Sequence, residues 1–226
     1  MRRFSPVSGF SLYFITGLVL SVIFIWIFGE IAESVLSGDT FVVLDKWVMR
    51  HLLYFRTTNM TSFMEVVTNL GGTMIIAPCG FIIAGYLLFK RHYDTAAGFA
   101  VAVVGGMILN NILKALFHRP RPLSEAALTT VYGWSFPSGH AMNSTIFYGM
   151  LVYLIVRGIH SRPLRLAAIA ASMSIVFIIG LSRIYLQVHY LSDVIAGLAG
   201  GLFWLSVCIT GVEMNRKRGE IHDLEQ

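Results

Sequence analysis

The stretch AAGFAVAVVGGMILNNILKALFHRPRP, residues 96–122, decides the reading of the fold. Its first part, residues 96–117, is an almost unbroken apolar run, and a helix needs roughly 20 such residues to cross a bilayer. A surface helix of a soluble protein would carry a polar face along its length, and residues 96–109 of this run hold no polar side chain. It ends abruptly in Lys114, Arg119 and Arg121, with Pro120 and Pro122 stiffening the chain around the last arginine.

Working outward, five more runs of the same kind emerge, at residues 9–28, 73–89, 139–156, 166–184 and 190–212. The whole chain agrees. It has 226 residues, 56% of them hydrophobic and 13% charged, against about 25% charged in a soluble domain. The expectation is an all-α, polytopic membrane helical bundle of six transmembrane helices, forming a single integral-membrane domain over residues 1–226. Between the first two runs lies FVVLDKWVMRHLLYF, residues 41–55, with apolar residues at helical spacing around Asp45, Lys46 and Arg50. It reads as an interfacial amphipathic helix. Gly71-Gly72 breaks the chain before the second span. Gly105-Gly106, and Gly197 with Gly201, read as points of close helix packing. The opening MRRFSPVSGF with its long apolar run is expected to stay as a signal-anchor helix, since the run exceeds a signal peptide's roughly 7–15 residues.

The net charge of +5 is a matter of topology, and no nucleic-acid partner is expected. Arg2, Arg3, Lys90, Arg91, Arg157, Arg162, Arg165, Arg216, Lys217 and Arg218 fall on one side of the six-span pattern. The positive-inside rule makes that side cytoplasmic, with both termini, and places the protein in the cell (inner or plasma) membrane. Cys79 and Cys208 sit in apolar runs and read as small buried hydrophobes. On the other side, Lys114, Arg121 and Arg183 end apolar helices where topology gives no reason for them, and ionisable groups so placed are costly and usually functional.

Three stretches converge on that outer side: Lys114 to Pro122, PSGH at Pro137 to His140, and SRIYLQVHYLSD from Ser182 to Asp193. Each suits an anionic phosphoryl group. The three cations supply charge and donors. Ser138 suits the N-cap of the fourth helix, so Gly139 and His140 offer backbone N–H groups at a helix N-terminus, with no Gly139 side chain in the way. His189 and Asp193 are four residues apart, on one face of a helix, so the carboxylate can bond one ring nitrogen and aim the other. The spacing leaves open whether His140 or His189 attacks. His51, His92, His118, His160 and His222 read as ordinary solvated or loop residues. The surrounding cations oppose a divalent metal, and neither a metal nor another cofactor is expected.

At these residues the chain resembles the type 2 phosphatidic acid phosphatase superfamily. That family's signatures are Lys, six residues, Arg-Pro; Pro-Ser-Gly-His; and Ser-Arg, five residues, His, three residues, Asp. Lys114 with Arg121-Pro122, Pro137-Ser138-Gly139-His140, and Ser182-Arg183 with His189 and Asp193 fit all three. The resemblance implies a metal-independent phosphohydrolase. In it His189 is the nucleophile, Asp193 orients it, and His140 is the acid for the leaving group. Lys114, Arg121, Ser138, Gly139 and Arg183 hold the phosphoryl oxygens. It favours the membrane branch of the bacterial phosphatidylglycerophosphatase B or undecaprenyl pyrophosphate phosphatase type. The implied substrate is a lipid phosphate or pyrophosphate presented from the bilayer: phosphatidylglycerophosphate, undecaprenyl pyrophosphate, phosphatidic acid or diacylglycerol pyrophosphate. A lipid phosphotransferase would share the phosphohistidine and change the acceptor. A non-catalytic lipid-binding protein would be marked by loss of His140, His189 or Asp193, and all three are present. A transporter would place its ionisable residues near mid-span, whereas these gather at one end. The family's haloperoxidases share the pocket but are soluble.

Overall fold

A computed structural model of the chain describes residues 6–38, 40–122 and 133–224. These form the helices α1 (Pro6–Ser37), α2 (Thr40–Leu53), α3 (Thr58–Asn69), α4 (Thr73–Phe89), α5 (Tyr93–Phe117), α6 (Gly139–Gly158), α7 (Arg162–Tyr185) and α8 (Leu191–Leu224). No strand occurs among the described residues. Six helical stretches are long and apolar enough to cross a membrane: Tyr13–Ser37, Thr58–Phe89, Tyr93–Phe117, Gly139–Gly158, Arg162–Tyr185 and Leu191–Gly219. Their outward side chains are themselves apolar, Trp26, Phe81 and Phe89 among them, which suits hydrocarbon rather than water.

The six expected spans are present, and the structure extends several of them. The first helix continues past residue 28 to Ser37, and the last past residue 212 to Leu224. The amphipathic helix is there as α2, but its polar residues divide: Lys46 and Arg50 are exposed, whereas Asp45 is buried. Residues 56–70 carry no hydrophobic run that marks an element, yet most of them form α3. Thr57 caps it, its hydroxyl accepting from the Met60 N–H at 3.3 Å. Helix α3 was missed because its apolar residues are spaced by Thr, Asn and Glu, so it has no unbroken hydrophobic run. The turn at Gly71-Gly72 separates it from α4 as expected. Arg2 and Arg3 lie outside the described residues.

Helices α6 and α8 together form the centre of the bundle. Phe99 of α5, Met142, Ile146 and Met150 of α6, and Leu205 of α8 bury one another in the main core. The contact of α6 with α8 is unusually close because small residues line it. A Cβ on Gly197 would stand 2.7 Å from the Ser138 carbonyl oxygen and 3.0 Å from the Ala141 Cβ. A Cβ on Gly201 would stand 2.8 Å from the Thr145 Cβ. Small residues let helix backbones approach in this way where no hydrophobic effect drives them together. Gly105 and Gly106 accept Trp204 and Ile146 by the same means. Helix α1 lies along α8, with the hydroxyls of Ser21 and Ser206 2.8 Å apart and Gly17 seated against Thr210.

This packing sets the register of one end of the bundle. There α5 and α7 finish, α6 and α8 begin, and Val48 and Leu52 of α2 pack against Ala141, Ile184 and Val194. The Ser138 N–H donates to the Asp193 carbonyl at 2.9 Å, fixing the start of α6 to the start of α8. Gly197→Ala is therefore expected to lower the thermal unfolding midpoint in detergent by several degrees, because backbone must shift to admit the methyl group. Gly85→Ala in α4, where nothing lies within 4 Å of the added carbon, is expected to leave the midpoint unchanged or raise it.

Candidate active site

Helix α5 ends at His118, which adopts the left-handed conformation at φ 46° and closes the helix through its N–H to the Lys114 carbonyl. That closure puts Lys114 in the last turn, where its ammonium donates to the Trp134 carbonyl at 2.8 Å. The His118 ring packs edge-on to Trp134 and belongs to the loop, as its sequence position suggested. The chain after α5 is held to the chain before α6: the Ser135 N–H donates to the Arg119 carbonyl at 2.8 Å, and Phe136 packs against Phe117 and Phe28.

Arg121 is held by two carbonyls, with Nε on Gly133 at 3.0 Å and a terminal nitrogen on Val188 at 2.9 Å. The same terminal nitrogen lies 3.3 Å from His189 Nε2. On the opposite side of the ring, His189 Nδ1 meets Asp193 Oδ2 at 3.3 Å. The Asp193 carboxylate is acceptor-only, so the network assigns the proton to Nδ1 and the lone pair to Nε2. The Tyr190 N–H also donates to Oδ2, at 3.0 Å. His189 is 2% exposed and Asp193 0%. Burial drives the His189 ring down from 6.5 to about 4, with Arg183 and Arg121 acting in the same direction and Asp193 opposing them. Nε2 is thus an unprotonated nitrogen at neutral pH, aimed by a carboxylate and bordered by a cation.

Arg183 ends α7 and is 4% exposed. One of its terminal nitrogens donates to the Thr68 hydroxyl of α3 at 2.7 Å, and its buried Nε has no hydrogen-bond partner among the described residues. Lys114 and Arg183 are therefore oriented by a neutral carbonyl and a neutral hydroxyl, which steer them and leave their charge for a ligand. Ser138 stands at the N-cap of α6, as expected, and its side chain makes no cap bond. Its buried hydroxyl has no partner among the described residues. A buried polar atom in that condition costs free energy until something fills the role. Gly139 faces Asn110 and Lys114, where a Cβ would lie 3.0 Å from the Asn110 oxygen. His140 lies within electrostatic reach of Lys114, Arg121, Arg183 and His189. Its Nε2 borders Gly72, where a Cβ would stand 3.5 Å away.

All eight residues singled out from sequence thus gather at one end of the bundle. Four others at this end were not foreseen. Thr68 lies on the missed helix. Asp45 and Ser192, both buried, and the partly buried Arg119 form a polar group beside Asp193. Asp45 carried one signal, as a lone acid in an amphipathic helix, and Arg119 lies within the stretch that decided the fold. The arrangement can bind a tetrahedral oxyanion between three cations, a hydroxyl and a helix N-terminus, beside a nitrogen nucleophile.

The PAP2 superfamily model matches residues 95–217. Phosphatidylglycerophosphatase B of Bacillus subtilis (strain 168) is 29% identical over 199 residues, which span 86% of this chain and 95% of that one. Lipid A 1-phosphatase of Rhizobium etli is 32% identical over 145 residues, spanning 56% and 58% of the two chains. The crystal structure of the first transmembrane PAP2-type phosphatidylglycerolphosphate phosphatase from Bacillus subtilis superposes with a TM-score of 0.77 at 26% identity, covering 85% of this chain and 96% of that one. The chain belongs to the PAP2 superfamily, in its membrane branch, and is a multi-pass membrane protein.

The environment of His189 can be tested without any substrate. Its ring is expected to titrate near pH 4 by NMR of ring-labelled protein, rather than near 6.5. Because the unfolded ring binds its proton at the higher pH, this residue's contribution to stability is complete above pH 6.5 and is lost as pH falls toward 4. A midpoint near 6.5 would show that burial and the neighbouring cations do not control the ring.

Proposed function

We propose that this PAP2 superfamily member removes phosphate from the head group of a membrane lipid through a phosphohistidine on His189. The observation that carries the proposal is the polarity of the His189 ring: Nδ1 on the Asp193 carboxylate and Nε2 beside Arg121, at 3.3 Å each. Support also comes from the relatives, which are themselves phosphatases named for lipid phosphates.

In this mechanism Nε2 attacks phosphorus in line while Asp193 stabilises the imidazolium that forms. Lys114, Arg121 and Arg183 hold the equatorial oxygens, with the Ser138 hydroxyl and the Gly139 and His140 backbone N–H groups. Donors already fixed in a buried site supply the largest share of catalysis in such a transfer. His140 protonates the departing oxygen, worth roughly 10²–10⁴-fold. Water then attacks the phosphohistidine with His140 as base, releasing inorganic phosphate and freeing Nε2.

The site lies where helices end, so the lipid's tail can stay in the bilayer while its head group enters. The distribution of Lys and Arg supports an outward-facing site with both termini in the cytoplasm. The substrate is a phosphate monoester or a pyrophosphate of a phospholipid or polyprenol. Phosphatidylglycerophosphate, phosphatidic acid, diacylglycerol pyrophosphate and undecaprenyl pyrophosphate are the members to test.

The experiment is phosphate release from that panel by purified protein in detergent. EDTA is expected to leave the rate unchanged and vanadate to inhibit, as a mimic of five-coordinate phosphorus. His189→Ala is expected to abolish turnover and acid-labile labelling of the protein while retaining a cooperative unfolding transition in detergent. Near-wild-type turnover in that variant, or a strict requirement for a divalent metal, would overturn the mechanism.

A further inference from the structure

Beside the eight residues of the phosphoryl site lies a buried ionic chain that none of the proposed catalytic steps uses. Asp45 reaches it from α2 and is 1% exposed. Its Oδ1 accepts the Ser192 N–H at 2.9 Å, one of the amides that the first turn of α8 leaves without an intrahelical partner. Its Oδ2 accepts the Ser192 hydroxyl at 2.6 Å and a terminal nitrogen of Arg119 at 2.9 Å. The other terminal nitrogen of Arg119 donates to the Ser192 hydroxyl at 2.7 Å and to Asp193 Oδ1. The guanidinium plane rests on the Tyr190 ring, 4.2 Å from its centroid.

The two oxygens of Asp193 therefore have separate partners. Oδ1 is held by Arg119, and Oδ2 takes the His189 ring and the Tyr190 N–H. A carboxylate held through one oxygen cannot turn about its own axis, so the other keeps its direction. We propose that Arg119 and Asp45 are positioning residues of this phosphatase: Arg119 locks Asp193 so that Oδ2 stays on His189 Nδ1, and Asp45 locks Arg119 and the first turn of α8. Neither touches the reacting atoms. The geometry needs arginine, because a planar fork must reach two carboxylates at once. The proposal rests on His189 as the nucleophile.

A purely structural reading would have the same residues do no more than fasten α2 to the bundle, and kinetics separate the two. Wild type, Arg119→Gln, Arg119→Lys, Asp45→Asn, Asp193→Asn and the Asp193→Asn/Arg119→Gln double variant are assayed with phosphatidic acid in detergent micelles. Arg119→Gln is expected to lower kcat roughly 10–100-fold while KM stays within about twofold, since misaiming a reacting group costs that much without changing binding. Arg119→Lys recovers part of the loss. In the Asp193→Asn background, Arg119→Gln changes kcat by less than about twofold, because the group it aims is already compromised. Should Arg119→Gln fail to fold, Asp45→Asn carries the test, with the same fall in kcat at constant KM. Losses that multiply in the double variant, or a raised KM at unchanged kcat, overturn the proposal. Wild type that releases no phosphate from any lipid of the panel rejects the phosphatase reading itself, before the variants are compared.

Discussion

Asp193 is a carboxylate with no exposed surface, in a protein whose helices face hydrocarbon. An ion in that position survives only with partners, because an isolated charge moved out of water costs several kcal/mol at least. The groups that hold it come from three separate parts of the chain: the His189 ring and the Tyr190 amide, Arg119 after α5, and, acting through Arg119, Asp45 on α2. Meeting that one demand arranges the rest. The loop after α5 must return beside α8, α2 must pack against the first turn of α8, and the α6 start is drawn in by the Ser138 N–H on the Asp193 carbonyl. A change that leaves Arg119 or Asp45 buried without its counterpart costs about 3–5 kcal/mol, far more than removing an exposed pair.

Much of this was legible beforehand, for definite reasons. The six spans are visible because hydrocarbon demands long apolar runs, and the sequence offers six of them. The gathering of Lys114, Arg121, Ser138, Gly139, His140, Arg183, His189 and Asp193 followed from spacing and topology, since alternate helix ends lie on one side. Helix α3 was not legible, because a helix without an apolar run is defined by what it packs against. Its value lies in Thr68, which orients Arg183, and one threonine in a polar stretch announces no such partner. The ionic chain was hidden for a similar reason. Asp45, Arg119 and Ser192 are spread across 147 residues between Asp45 and Ser192, and nothing local links them. Ser138 was legible as the N-cap of α6, but that its hydroxyl stays out of the cap was not.

The proposed phosphoryl site trades stability for readiness. Lys114 is steered by a carbonyl and Arg183 by a hydroxyl, so neither spends its charge on a carboxylate. The buried Arg183 Nε and Ser138 Oγ have no partner among the described residues. A core arranged for stability alone would satisfy both. Donors fixed in advance need no reorganisation when negative charge develops, and that is where their benefit to a transferring phosphoryl group lies.

The pairing of α1 with α8 carries a consequence for how the protein is made. Ser21 meets Ser206, and Gly17 receives Thr210, so the earliest described helix packs on the latest. A ribosome delivers residues in order, and α1 enters the bilayer long before its partner exists. Until α8 arrives, α1 waits with its seam of small residues open to lipid. The same arrival supplies Asp193 and brings Ser192 to Asp45. Closure of the bundle and completion of the ionic chain are thus a single late event of biogenesis, and a chain that stalls before α8 has neither.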